Sequence, residues 1–275
     1  MKINRIFSFG RTLKKEMIDD RATGLAAEQA FYYMLALFPM MILFLSILPY
    51  LSMDGQRVMM VVETALPRDT TRMIEENVLS VVSDSNSGLL TFGIIGTIWS
   101  ASTGMNAFIR AMNEAFNVEN QRSFLNGRLL SILLTIGMIV TFLIIFALFI
   151  FGEVILNTVS NYVFMPDETE SLLKVVRWIL TVLVMITILC CLYYFAPNKK
   201  ITFKHVLPGA ITATIIWQVV SLGFSFYVNN FGNYSDMYGS LGGVIVLMLW
   251  LFLTGLALVI GGELNAILHK NRSAG

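Results

Sequence analysis

The chain has 275 residues, of which 56% are hydrophobic and only 13% are charged, and its formal net charge is +1. A soluble domain carries roughly 25% charged residues, so this composition excludes a water-soluble globular enzyme as the ordinary interpretation. It also excludes an intrinsically disordered chain, which needs few apolar residues and a high net charge. The near-zero net charge gives no broad positive field to attract nucleic acid.

Residues 1–21 form the first element in chain order. Apolar residues recur there at roughly helical spacing and basic residues fill the other face, which predicts an amphipathic helix. Two interpretations stay open. The helix lies on the inner leaflet of a membrane, or it is a short cytoplasmic helix packed against the rest of the protein.

Six charge-free stretches follow, and each is longer than the ~18 apolar residues that mark a membrane-spanning helix. The predicted spans are centred on 26–50, 89–110, 129–152, 178–196, 207–229 and 244–262. We therefore expect an all-α integral membrane protein with a single six-helix membrane domain over 22–275. Two short apolar stripes within 52–88 predict a helical insert on the extracellular side.

The loops show which side of the membrane each end occupies. If the amino terminus is cytoplasmic, 14 of the 19 Lys and Arg residues fall in the inside segments. Cytoplasmic loops are enriched in Lys and Arg, so this bias predicts that both termini are cytoplasmic. The expected location is a membrane that the chain crosses several times.

Polar side chains lie near the cytoplasmic ends of three predicted spans. The candidate cluster consists of Glu28, Gln29, Asn106, Arg110, Asn113 and Glu263. A charge at the bilayer centre costs on the order of 3 kcal/mol, so charges near spans point to function. Glu28 and Glu263 around Arg110 would leave one acid free to titrate or to hold a cation. The alternative is structural, because side chains near a helix end reach headgroup water by snorkelling.

The first span also contains Pro39 near its middle. A proline inside a helix removes one backbone hydrogen bond, which predicts a kink. Interrupted helices often flank transport sites. The second span is rich in Gly, Ser and Thr, and these residues either permit close helix packing or line a wet path.

Catalytic chemistry has no signature in the chain. The two histidines, His205 and His269, are near different helix ends, and no spacing fits a metal site. The adjacent Cys190 and Cys191 predict neither a disulfide framework nor a thiolate site. No phosphate-binding glycine loop or nucleophile elbow occurs. We therefore expect no catalytic residue, cofactor or metal.

Several motifs of the chain occur together in a recognisable order. They are Gly24 to Tyr33, Phe38-Pro39, Trp99 to Ser102 with Asn106, Asn113 and Arg122, Tyr194 to Pro197, Pro208 to Ala210, Tyr238 to Gly242, and Trp250 with Gly262 to Ala266. Together they resemble the YihY/BrkB family of membrane proteins, and the chain looks like a Bacillus member of it. The resemblance implies a six-helix protein of the bacterial cytoplasmic membrane, of poorly defined function. The family has carried a ribonuclease BN label, and some members are tied to serum resistance. That label conflicts with the residues, which offer no metal cluster, general base or basic RNA surface.

Transport is the function that these observations favour. We expect a permease whose path runs between the first, second, fifth and sixth spans, with Glu28 as the coupling carboxylate and Arg110 and Glu263 as its partners. The expected partners are membrane lipids and a transported ion, small solute or lipid, and no nucleic acid; the oligomeric state stays open. The alternatives are a non-transporting envelope-integrity or lipid-organising protein and, third, an enzyme.

Overall fold

A computed structural model describes residues 2–47, 87–162, 167–231 and 241–273, and these residues form seven α-helices and no strand. The helices are α1 (Lys2–Asp19), α2 (Ala22–Ile47), α3 (Ser87–Ala115), α4 (Phe124–Tyr162), α5 (Asp167–Phe195), α6 (Phe203–Phe231) and α7 (Leu241–Ser273). The all-helical prediction is thus confirmed for the described residues. Residues 52–86 of the predicted insert lie outside them, and Ser87 and Gly88 belong to α3.

Five of the described helices, α2, α4, α5, α6 and α7, are long and apolar enough to cross a membrane. The sequence predicted six such spans. The predicted span at 89–110 is helical within α3, but it is not among the five. The physical reason is its composition, because glycine, serine, threonine and asparagine lower its hydropathy.

The apolar faces of the long helices point outwards. Phe38, Leu129 and Leu222 are each at least 66% exposed, and many other large apolar side chains share this orientation. Exposing such surface to water costs about 25 cal/mol per Å², whereas lipid chains cover it without that cost. The chain is a multi-pass membrane protein, and outward apolar faces are what such a protein requires.

The chain divides into two compact units. One contains residues 1–31 and 104–275, and the other contains residues 32–103. The core of the first unit joins the carboxyl-terminal ends of α3, α5 and α7 to the amino-terminal end of α6. Its largest buried side chains include Tyr193, Phe108 and Met112. Packing is therefore concentrated at one set of helix ends.

Within the second unit, glycines let two helix segments approach closely. A Cβ atom on Gly93 would meet the backbone of Leu43 at 2.7–2.8 Å, and one on Gly96 would meet the Pro39 ring at 3.0 Å. Here the small residues of α3 serve packing, one of the two roles that the sequence left open. Helix α2 continues through Pro39, and the kink expected there stays a prediction.

Candidate functional site

An asparagine on α7 bonds the backbone of α6 beside a proline. Pro208 lies inside α6 and has no N–H to donate to the preceding turn. The Asn265 side chain is fully buried beside it and bonds the α6 backbone twice. The Gly209 N–H donates to Asn265 Oδ1 at 2.7 Å, and Asn265 Nδ2 donates to the Val206 carbonyl at 3.0 Å. Asn265 therefore has a structural role at the α6–α7 crossing.

Glycines make that crossing possible. A Cβ atom on Gly209 would collide with the Gly261 carbonyl and the Asn265 amide. A Cβ atom on Gly261 would collide with the Tyr193 hydroxyl, which donates to the Leu258 carbonyl at 2.8 Å. The backbones of α6 and α7 therefore touch here, which is the arrangement that small residues allow between membrane helices.

Asn113, one of the predicted site residues, holds the segment after α5. The Asn198 N–H donates to Asn113 Oδ1 at 2.7 Å. Arg122 holds the same segment, because its guanidinium donates to the carbonyls of Phe195, Ala196 and Pro197 at 2.7–3.2 Å. These carbonyls at the end of a helix lack helical partners. Asn113 and Arg122 therefore anchor the α5–α6 connection.

Glu28 and Arg110 form the ion pair that the sequence predicted between them. Arg110 donates through one terminal guanidinium nitrogen to Glu28 Oε1. Their side chains are 35% and 40% exposed, so water screens the pair and its contribution to stability is small. Glu28 thus has a cationic partner already.

The neighbouring Gln29 is fully buried, and its amide nitrogen donates to the Leu25 carbonyl at 3.3 Å. Its Oε1 atom has no hydrogen-bond partner among the described residues. Asn106 lies elsewhere, in the wall of a small cavity of about 120 Å³ that Arg122 also lines. Of the six predicted polar residues, the structure thus joins Glu28 to Arg110 directly.

Glu263 lies beside Asp20 instead of joining that pair. Its side chain is fully buried, and Asp20 is 9% exposed. The two carboxyl groups are within hydrogen-bonding reach of each other. Two ionised carboxylates only accept hydrogen bonds, so both Oε atoms of Glu263 and Oδ2 of Asp20 have no donor in the described part of the chain. A proton on one group would supply the missing donor.

Asp20 reaches this position because the chain turns sharply between α1 and α2. Arg21 adopts a left-handed backbone conformation with φ of 53°, which is uncommon for a residue with a side chain. Burial raises the pKa of Asp20 above its usual 3.8, and the negative charges of Glu16, Glu114 and Asp19 raise it further, while the hydrogen bond with Glu263 lowers it.

A cavity of about 570 Å³ opens beside the carboxyl pair. Its lining includes Glu263, Glu16, Lys199, His269 and Lys270. Lys270 pairs with Glu16 at 3.5 Å, so its charge is directed to that acid. The cavity therefore brings a surface with both acids and bases next to the residue that carries the buried carboxyl group.

The sequence did not single out Asp20. It precedes the first apolar run, so a search for charges within the spans passes over it. The amphipathic pattern of residues 1–21 could have indicated it. If that helix packs against the protein, some residues near its end must be buried. Among the described residues, no group of three His, Cys, Asp or Glu side chains is placed to hold a metal ion.

Comparison with known proteins places the chain in a family. The family model described as Virulence factor BrkB matches residues 13–275. A Bacillus subtilis protein named "Putative ribonuclease-like protein YfkH" is 44% identical over 247 residues, covering 90% of each chain. A UPF0761 membrane protein of Aliivibrio salmonicida is 28% identical over 272 residues, covering 96% of this chain and 84% of the relative.

No solved structure matches the chain, so the fold rests on the helices described above. The resemblance seen in the motifs is confirmed by a match that extends over nearly the whole length. The chain belongs to the BrkB family of multi-pass membrane proteins.

Proposed function

We propose that this protein transports a solute, an ion or a lipid across the cytoplasmic membrane. The observation that carries the proposal is Glu263. It lies within the apolar segment Gly242–Asn271 of α7, is fully buried, and has no donor for either carboxylate oxygen among the described residues. An ionisable side chain within a membrane-spanning segment is expensive to bury and usually marks the path of a substrate, ion or proton.

The proposal includes six spans, with α3 as the sixth. Its 29 residues give a helix of roughly 44 Å at 1.5 Å per residue, which exceeds the ~30 Å hydrocarbon thickness. Its polar residues would then be covered by protein or by water. Six spans would put both termini on the same side of the membrane, and the distribution of Lys and Arg predicts that this side is the cytoplasmic one.

A second candidate is a non-transporting protein that organises lipids or maintains the envelope. The contacts of Glu28, Arg110 and Asn113 favour it, because all three side chains have partners within the protein. A static bundle needs such contacts, whereas a path needs groups free to meet a substrate. The large lipid-facing apolar surface is compatible with both candidates.

The proposal assigns no enzymatic activity to the chain. The Bacillus subtilis relative is named as ribonuclease-like, but RNA binding depends on Lys and Arg facing the phosphates. This chain has a net charge of only +1 and two histidines. The composition supports a membrane function over a ribonuclease.

Cysteine accessibility separates the two candidates. Cys190 and Cys191 are both free and would be replaced first. Single cysteines would then be placed along 28–35 and 96–110, with Leu222, an outward-facing residue, as the lipid-facing control. A membrane-impermeant thiol reagent would be added from each side of sealed membranes.

A water-filled path predicts labelling on one face of each helix, well beyond the membrane boundary. Protection at every position beyond the boundaries, equal to that at Leu222, would contradict transport and support the envelope function. Labelled positions would then direct flux measurements on Glu28→Gln and Glu263→Gln proteins reconstituted in liposomes.

A further inference from the structure

We infer that the Asp20–Glu263 pair is a proton-binding site that holds one proton between its two carboxyl groups at neutral pH. The inference deepens the proposed function by naming the proton as the coupling ion. It rests on that function only for the role of the proton, because proton binding itself is measured without any transport assay.

The carboxyl pair lacks a hydrogen-bond donor. Glu263 is fully buried and Asp20 nearly so, and buried polar atoms are almost always hydrogen-bonded. Three of the four carboxylate oxygens, Oε1 and Oε2 of Glu263 and Oδ2 of Asp20, have no donor among the described residues. One added proton turns one of these oxygens into a donor for another, which gives two of the three a hydrogen-bond partner and removes one of the two negative charges.

The pair is surrounded by charge. Charged and titratable groups face it from α1, α3, α7 and the segment before α6. They are Glu16, Asp19, Glu114, Lys199, His269 and Lys270. Three are acids and add negative potential. Of the bases, Lys270 is paired with Glu16, and Lys199 lies over the Phe116 ring at 5.9 Å.

Neither two ionised carboxylates nor a bound metal ion suits this pair as well as a proton does. Two ionised carboxylates in contact away from water combine like-charge repulsion with the loss of hydration, and such pairs take up a proton instead. A divalent metal ion would need more ligands than this pair offers, and no group of three acids, histidines or cysteines is assembled in the described chain. The proton is the ligand that the geometry fits.

The proton also needs access to the pair. Glu263 lines the cavity of about 570 Å³ together with Lys199, His269 and Lys270. A cavity of this size admits water, since one water molecule needs only about 10–15 Å³ of probe volume. Water in this cavity would lie next to Glu263, while the carboxyl oxygens themselves are covered; a proton would cross only this cover to reach the pair.

Infrared spectroscopy tests the inference directly. The full-length protein in lipid nanodiscs would be titrated from neutral to alkaline pH, and the carbonyl stretch of neutral carboxylic acids would be followed with its shift in heavy water. We expect one such band at neutral pH that disappears on alkalinisation. The band should be lost in both Asp20→Asn and Glu263→Gln, and retained in the matched control Glu28→Gln.

Each other outcome overturns the inference. A neutral-pH band that survives in either variant belongs to another group. A wild-type spectrum with no band at neutral pH means that both groups are ionised. A band absent in sodium buffer but present in a buffer of a large organic cation would make the pair a metal-cation site. Asp20→Asn and Glu263→Gln are close in size to the native residues, so a folding failure in one leaves the other to decide.

If the band behaves as expected while the cysteine experiment finds no water-filled path, the proton site stands and the transport function fails. A water-filled path without the carbonyl band at neutral pH would support transport and overturn the proton site. The two proposals are therefore distinguishable.

Discussion

Two regions of α7, only two residues apart, treat buried polar groups in opposite ways. At the α6–α7 crossing, the Asn265 amide is fully buried and bonds the α6 backbone twice. At the α1–α7 contact, Glu263 is equally buried, yet its carboxylate has no donor in the described chain. The first arrangement is what a stable fold requires. The second costs stability, which points to a function in binding.

The difference also separates the candidate residues into two groups. Arg110 and Glu28 pair with each other and Asn113 Oδ1 accepts from the Asn198 N–H, so these side chains have partners within the protein as Asn265 does, while Asn113 Nδ2 has none in the described chain. Glu263 and Asp20 stand apart because an additional proton would supply the hydrogen-bond donor that their carboxyl groups lack. The comparison therefore predicts that changes at the first group alter stability, whereas changes at the second alter proton binding.

The largest loss of stability is expected at the glycine contact of the α6–α7 crossing. Gly209→Ala places a methyl group against the Gly261 carbonyl and the Asn265 amide, so the helices must separate. Overpacking of this kind costs about 3 kcal/mol of unfolding free energy or more, because backbone atoms are the obstacle. Gly223→Ala on the same helix has open space and should be neutral or slightly stabilising. Equal stability of the two variants in nanodiscs would contradict the close crossing.

The next largest loss of stability is expected for Asn265→Ala, which removes both side-chain hydrogen bonds to the α6 backbone and the buried amide that makes them. Two buried hydrogen bonds of about 0.5–1.5 kcal/mol each are lost together with packing, so a loss of about 2–3 kcal/mol in unfolding free energy is expected. Asn230→Ala is the matched control, since the Asn230 side chain makes an exposed hydrogen bond on α6. Chemical unfolding of both variants measures the difference. If Asn265→Ala lost no more unfolding free energy than Asn230→Ala, the structural role of Asn265 would be contradicted.

A smaller loss is expected for Arg122→Gln, which removes most of the donors that hold the three carbonyls after α5. We expect about 1–2 kcal/mol, because the site is only partly buried and water replaces some of the bonds. Arg11→Gln, at an exposed position of α1, should change little. Faster hydrogen exchange in the segment 196–200 of Arg122→Gln is the sharper readout, and unchanged exchange there would argue against this anchoring role.

The smallest effect is expected at the Glu28–Arg110 pair. Both side chains are more than a third exposed, and exposed ion pairs contribute about 0–1 kcal/mol. A double-mutant cycle of Glu28→Gln and Arg110→Gln isolates their interaction energy. A coupling energy well above 1 kcal/mol would contradict this expectation and would show that the pair is shielded from water.

Much of the fold follows from the sequence because lipid imposes a simple rule. A long apolar segment must satisfy its backbone internally, so helices are forced wherever charges are absent for about twenty residues. The rule gave α2, α4, α5, α6 and α7. It does not settle α3, where glycine and hydroxyl residues make a long helix that is only moderately apolar.

The partners within the site were harder to predict. Glu28, Arg110 and Glu263 were expected to meet because all three lie near the same predicted membrane boundary. A shared depth in the membrane does not determine which helices are neighbours. Glu263 faces α1, and its neighbour Asp20 is positioned by the left-handed turn at Arg21, which no hydrophobic pattern encodes. Asn265 also lay within a matching motif, but its role depends on the backbone of α6 beside Pro208.

The central claim is that Glu263 serves proton binding and not the fold, and the unfolding stability of Glu263→Gln tests it most directly. The wild type and the variant would be unfolded in identical nanodiscs over a series of pH values. Burial raises the pKa of Asp20 in the folded protein above its ordinary value of 3.8. Between 3.8 and this raised pKa, the folded protein therefore binds more protons than the unfolded chain. Wild-type stability should therefore rise as the pH falls through that window.

The side-chain amide that Glu263→Gln introduces can donate to Asp20 as a protonated Glu263 would. The account predicts that Glu263→Gln is at least as stable as the wild type at neutral pH, and that its stability depends less on pH. A loss of stability as large as that of Asn265→Ala, with the pH dependence unchanged, would contradict the account.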